Sequence, residues 1–348
     1  MAMESGILRN DAVDLTLFFW GGKCAYYDFF SENRLRQRIV MACYYDRLTE
    51  GQLCSRLGVP AAYLADPLQK LLTYDLLRKK GLAYRSNIVI ITEKALEAVN
   101  RLNEADLEKT AGRIRVFADE YMDEMRALGF RGCDMPANSL RWMLVSLILR
   151  RAYIDLLQSS IVPDYPADGC IRFLMELPKN DPYYTGISAS GSKDGTIFLW
   201  DVPVNGEELH PLISPIRADM LISLPEAQPA ADSEKSVCSE LMELGLARNE
   251  GERILPAFPC LNKDQSAILE SRILPVAQSI CSGAVSRIDG VSRIMKEHAP
   301  EHLADYAGRL PVFLQLKEAE TIMRLLCESG WLLPMKNCLA TTVMIRNK

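Results

Sequence analysis

Two histidines four residues apart, in His298-Ala299-Pro300-Glu301-His302, form the most chemistry-like spacing in the chain. An H-x-x-E-H pattern holds zinc only when both imidazoles stand one turn apart on a helix and a third ligand comes from elsewhere. Pro300 lacks the N–H that a helix needs between them and clashes with the preceding turn, so it starts a new element. We therefore expect a loop with surface histidines rather than a metal site. The remaining histidine, His210, has no motif around it. Trp20-Gly21-Gly22-Lys23 lacks the spacing and the Ser/Thr of a phosphate-binding loop. "GISASGS" at 186–192 offers serines without a nucleophile elbow. We expect no catalytic residue, no metal and no cofactor, and read the protein as a non-enzyme.

"SGSKDGTIFLWDV" at 190–202 looks like the end of a propeller blade. A propeller needs at least four such blades at a spacing of about 40 residues. The other tryptophans, Trp20, Trp142 and Trp331, are not followed by Asp, and no Gly-His pair occurs. What remains is a β-hairpin turning about Lys193-Asp194-Gly195.

The ten cysteines are spread along the chain with no C-x-x-C pair, and most sit in apolar runs, so they read as reduced core thiols. Charge is less even. From Ser31 to Asn100 there are eleven basic and seven acidic residues, a local +4 in a chain whose net charge is −5. A basic module in an acidic protein makes nucleic acid worth testing.

The elements that would position those charges are legible. "ENRLRQRIVMACYY" spaces Leu35, Ile39 and Ala42 as one face of a helix. Thr49 and Gln52 form a capping box for a short second helix that faces Leu53 and Leu57 inward and ends at Gly58. A third helix follows Pro60, and Pro67 is expected to bend it or delay its start. "LLRKKGLAYRSNIVIIT" then gives two strands about a Lys-Lys-Gly turn. Helix, short helix, helix and hairpin in that order predict a winged helix-turn-helix.

In such a module the third helix faces bases and the wing faces phosphates. Here the helix offers Ala61, Ala62, Tyr63, Ala65 and Asp66, with Gln69 and Lys70 only later, so base reading is poor. Arg78, Lys79, Lys80 and Arg85 cluster on the wing and Arg56 flanks the turn. Tyr63, Gln69 and Lys70 on the helix, with these five cations, are the candidate DNA-contacting residues. Contact through them would be dominated by backbone charge and depend strongly on salt. The competing reading is a protein-interaction module that docks a partner helix on the apolar turn from Ala61 to Leu64.

Downstream, residues 101–163 carry two longer helices, the second apolar around Leu144, Leu147 and Ile148. Residues 164–224 read as a small antiparallel β region, and 225–233, "PEAQPAADS", as a linker. Residues 234–348 read as helical, with a helix from Lys263 to Glu297 that holds Pro275. "EKSVCSELMELGLARNEGERILPAF" repeats the helix-then-hairpin phrasing, about Asn249-Glu250-Gly251, and "TIMRLLCESGWLLPMKNCLATTVMI" repeats it again. These are either further winged-helix-like units or the common phrasing of a helix meeting a strand. Residues 1–30 read as an N-terminal arm.

"LRQRIVMACYYDRLTEGQLCSRLGVPAAYLADPLQKLLTYDLLRKKGLAYRSNIVIIT" resembles the winged-helix portion attached to certain bacterial sigma-70-like proteins and their relatives among transcriptional regulators. "MRALGFRGCDMPANSLRWMLVSLILRRAY" and "PKNDPYYTGISASGS" resemble the segments C-terminal to that portion in such proteins. The chain has nothing resembling the sigma segments that bind polymerase and promoter. The resemblance implies a role around transcription, not sigma activity itself; RNA polymerase or a sigma-type protein is the partner we expect, alongside DNA and a second copy of the chain.

The expectation is thus a mainly α protein with small β content (α+β): an N-terminal winged helix-turn-helix over 31–100, then helical and β-hairpin regions. It would be a cytoplasmic, DNA-binding transcriptional regulator whose larger part dimerises, senses a ligand or meets the transcription machinery. No apolar run reaches the roughly 18 residues of a membrane span, and no secretory signal opens the chain.

Overall fold

The structure, a computed structural model, describes residues 14–20, 30, 33–157, 171–177, 186–192, 194–201, 215–224, 231–243, 245–333 and 342–346. Strand β1 (Asp14–Trp20) precedes α1 (Arg34–Tyr45), β2 (Leu48–Thr49), α2 (Glu50–Leu57) and α3 (Ala61–Thr73). Strands β3 (Leu77–Lys80), β4 (Ala83–Ser86) and β5 (Ile90–Ile91) lead into the long helix α4 (Glu93–Ala127). Helix α5 (Ala137–Arg150) runs into a π-turn, Arg151–Leu156. Then come β6 (Ile171–Leu177), β7 (Gly186–Ser192), β8 (Gly195–Asp201), α6 (Pro215–Ser223) and α7 (Asp232–Glu243). Strands β9 (Ala247–Glu250), β10 (Arg253–Pro256) and β11 (Cys260–Leu261) lead into α8 (Lys263–His298). A 3₁₀ turn at Glu301–Leu303, α9 (Ala304–Ala307), α10 (Pro311–Glu328) and β12 (Thr342–Arg346) complete the order. The protein is α+β: helices dominate and the sheets are small. Among the described residues no helix is long and apolar enough to cross a membrane.

Two compact units share these elements. The first holds residues 1–104, 162–181 and 286–314, and the second 105–161, 182–285 and 315–348.

In the first unit the local rules act as read. The Asn33 side chain accepts from the Arg36 N–H and starts α1, whose buried face includes Ile39, Val40, Ala42 and Cys43. Thr49 and Gln52 make a reciprocal capping box on α2, and Gly58 ends it in the left-handed region at φ 66°. Leu53, Leu57, Leu64, Leu68, Leu71 and Leu77 fill the space between the helices and the hairpin. Pro67 neither delays α3 nor ends it: the helix starts at Ala61 and runs through to Thr73. Pro67 lies on the buried face with Leu64, Leu68 and Leu71, so packing outweighs the one backbone bond that proline forfeits.

Within the N-terminal arm, residues 14–20 form a strand, the antiparallel partner of β6, with Leu15 and Leu17 buried in strand alternation. The sheet order β1-β6-β5 makes β6 central, antiparallel to β1 and parallel to β5. Residues 164–224 therefore do not form one antiparallel sheet. In the second unit β7 and β8 are the expected hairpin, extended by β12 and β11 in the order β11-β12-β8-β7, and α6 is helical. The partner strands come from outside the segment, so no pattern within it announces them. The linker reading falls mostly on 225–230, and Lys193 and His210 also lie outside the described residues; α7 already begins at Asp232.

The second unit repeats a plan of the first at an offset of 170 residues. Hairpin β3-β4 corresponds to β9-β10, Gly81 (φ 63°) to Gly251 (φ 64°), and Asp75 (φ 56°) to Gly245 (φ 70°). The Leu76 N–H bonds to the Leu71 carbonyl as Leu246 does to Leu241, and Leu174 to Val89 as Met344 does to Pro259. Each short third strand pairs in parallel with a later one, Ile90 with Leu174 and Cys260 with Met344. Leu71, Leu76, Ile88 and Ile91 are buried, as are their counterparts Leu241, Leu246, Phe258 and Leu261. Of the C-terminal phrase at 321–345, residues 334–341 lie outside the described residues; its strand β12 pairs with β8 and β11.

Candidate nucleic-acid interface

Hairpin register decides where the cations point. Strand β4 is central in the order β2-β4-β3 and pairs with β3 so that Leu77 opposes Ser86, Arg78 Arg85, Lys79 Tyr84 and Lys80 Ala83. The turn is Gly81-Leu82, one residue beyond the Lys-Lys-Gly turn read from sequence. Gly81 supplies the positive φ that a two-residue turn of this kind needs at its first position. Opposed residues share a face and faces alternate along a strand. Leu77, Tyr84 and Ser86 are buried on one face. Arg78, Lys80 and Arg85 therefore share the other, solvent-facing side.

These cations differ in their engagements. Arg78 Nε lies 3.6 Å from Asp75 Oδ1. Lys79, on the inner register, lies with its Nζ 5.0 Å from the Tyr84 ring centre, at the range of a cation–π contact. Lys80 is exposed and Arg85 half-buried, and neither has an acidic partner among the described residues.

The other candidates sit elsewhere. Arg56 ends α2 and is tied to Asp46 at 2.7 Å. Tyr63, Gln69 and Lys70 lie on the exposed side of α3, where Lys70 pairs with Asp66 at 3.1 Å. Tyr63 is 68% exposed. Two further residues lie outside the candidate set. Arg47 is exposed between α1 and β2. Leu82, at the hairpin tip, is 80% exposed, the most of any large hydrophobic side chain described; its signal is an apolar residue directly after the turn glycine.

The repeated hairpin has the same backbone and the opposite chemistry. Lys79-Lys80-Gly81-Leu82 becomes Asn249-Glu250-Gly251-Glu252. Glu250 accepts from Arg131 at 2.6 Å and Arg248 at 2.8 Å, and those guanidiniums hold its carboxyl below the usual carboxylate range. The Glu250 charge is thus met by one arginine of the hairpin and one from outside it.

His298 and His302 lie at a helix end and in the turn that adjoins it. His298 closes α8, Pro300 opens the adjoining 3₁₀ turn, and the His302 Nε2 lies 2.8 Å from the Ser86 carbonyl. Of the cysteines, Cys43, Cys238, Cys260 and Cys281 are buried, and burial pushes the Cys43 thiol up to about 12. A small pocket in the second unit is lined by Arg150, Arg151, Asp155 and Glu270 among leucines and isoleucines. Its charges cancel, with Asp155 3.3 Å from each arginine, so it offers no net attraction to an ion.

No family model, curated protein or solved structure matches the chain.

Proposed function

We propose that the protein is a DNA-binding transcriptional regulator whose helices α1 to α3 and hairpin β3-β4 act as a winged helix-turn-helix, with the wing gripping the phosphate backbone. The observation that carries this reading is the shared outward face of Arg78, Lys80 and Arg85. Charge along β3 alone has a plainer explanation, since lysines and arginines keep an edge strand from pairing with other chains. Arg85 is set apart by its opposite number: it stands on β4, past the two residues that β2 pairs with, and faces Arg78 across the hairpin, where like charges cost stability. A polyanion lying along this face offsets that repulsion. Base reading stays weak, because the outer face of α3 presents Tyr63, an Asp66–Lys70 pair and Gln69. The larger part would serve dimerisation, ligand sensing or contact with polymerase or a sigma-type protein.

The protein-docking reading draws on the exposed Ala61, Ala62 and Tyr63. Leu64, the largest apolar residue of that turn, is fully buried in the core and is not available to a partner.

The test is anisotropy of labelled random duplex against the purified chain, titrated with salt. The log of the binding constant is expected to fall linearly with the log of salt, with a slope of about −0.9 for each phosphate neutralised. The double variant Lys80→Ala, Arg85→Ala is expected to weaken binding equally on all sequences and to reduce the slope by about 2. No binding at low salt overturns the reading.

A further inference from the structure

The Gly81-Leu82 turn carries a feature that backbone gripping does not use. Leu82 is 80% exposed. A single exposed leucine is ordinary on a protein surface, but this one is held at the tip of a rigid two-residue turn whose conformation asks only for Gly81. Its neighbours are Lys79 and Lys80 before the turn and Arg85 three residues after, a setting in which water and anions are favoured over an apolar partner. The equivalent turn at Gly251 has the same φ to within a degree and carries Glu252 instead, so the fold places no demand for leucine there. Side chains such as leucine, presented between cations at the tip of a narrow element, enter the minor groove and part a base step while the flanking charges hold both phosphate strands.

We propose that Leu82 is a wedge, and that the first hairpin prefers duplex DNA whose stacking is already interrupted, as at a nick or a bend. The proposal rests on the DNA-binding reading above. A step opened in advance removes the cost of unstacking, so the wedge gains most where that cost is absent. The second hairpin, with Glu250 and Glu252 at its tip, has no part in this contact.

The experiment compares three labelled duplexes of equal length and sequence, one intact, one nicked and one with a short gap, against the full chain and its Leu82→Ser and Leu82→Met variants. Wild type and Leu82→Met are expected to bind the nicked and gapped duplexes about tenfold or more tighter than the intact one. Leu82→Ser is expected to lose that preference while keeping the intact-duplex affinity and its salt slope. Energy transfer between dyes on the duplex ends is expected to report a shorter distance with wild type and not with Leu82→Ser. A preference retained by Leu82→Ser, or none in wild type, overturns the wedge and leaves phosphate gripping standing. Failure to bind any of the duplexes overturns both readings. Binding to phosphatidylserine vesicles that Leu82→Ser abolishes, with no DNA binding, would assign the tip to a lipid surface instead.

Discussion

Arg78 and Arg85 stand directly opposite each other across the β3-β4 hairpin, both on its outer face. Cross-strand like charges are destabilising, whereas opposite charges contribute roughly 0.2–1 kcal/mol. Arg85→Glu is therefore expected to stabilise the free protein by up to about 1 kcal/mol and at the same time to weaken its binding to duplex DNA. Denaturant midpoints and anisotropy on the same preparations check this. Unchanged or lower stability would show that the two arginines do not repel.

Position 75 and its repeat partner 245 test strain in the left-handed region. Asp75 holds φ 56° with a side chain, while Gly245 holds φ 70° without one. Nothing lies within 4 Å of a Cβ built on Gly245, so Gly245→Ala costs only backbone energy, about 1 kcal/mol. Asp75→Gly should cost less than that or stabilise, even though it removes the partner of Arg78. Paired urea melts decide.

Thr49→Ala removes one half of the α2 capping box, the hydroxyl that accepts from the Gln52 N–H, and leaves the backbone N–H of residue 49 donating to the Gln52 side chain at 2.8 Å. A loss of about 1 kcal/mol is expected, with a smaller loss for Gln52→Ala. Equal stability in chemical denaturation would count against the box.

Glu176 has its pKa raised chiefly by burial, while the Glu93 N–H that donates to its Oε2 at 2.8 Å acts in the other direction. A carboxyl whose folded pKa lies above its unfolded value weakens the fold as pH rises through that interval. Glu176→Gln keeps an acceptor for α4 and removes the charge. It is expected to raise Tm at neutral pH, and the gain should vanish as pH falls below the ordinary carboxylate range. A gain that persists at low pH would point to another cause.

Cys43 is buried and its thiol is pushed up to about 12, so it should resist a water-soluble disulfide reagent in the native state and react on unfolding. A labelling time course with peptide mapping checks this.

What the sequence disclosed was local. Thr49, Gln52 and Gly58 announce their caps because capping is settled within four residues. The strand turns read one residue early, at Lys-Lys-Gly and Asn-Glu-Gly, and a one-residue slip moves each side chain to the opposite face. The candidate cations could thus be named but not sorted; only the register separates outward Arg78, Lys80 and Arg85 from Lys79. The repeat stays faint because only Ala61, Leu71, Leu76, Arg78 and Gly81 keep their identity in the helix-to-hairpin stretch, as Ala231, Leu241, Leu246, Arg248 and Gly251. Buried Ile88 and Phe258 perform one packing role with different shapes. Strand β1 is hidden in the sequence because its partner, β6, lies more than 150 residues away.

The parallel pairing of each short third strand sets an order of events during synthesis. Ile90 waits for Leu174 and Cys260 for Met344, 84 residues later in both cases. At about 5–20 residues per second, that wait is roughly 4 to 17 seconds, against microseconds for closing either hairpin. Each nascent half therefore spends seconds with finished hairpins beside an open strand edge, and the helices made in the interval are translated before the strand that will close the sheet.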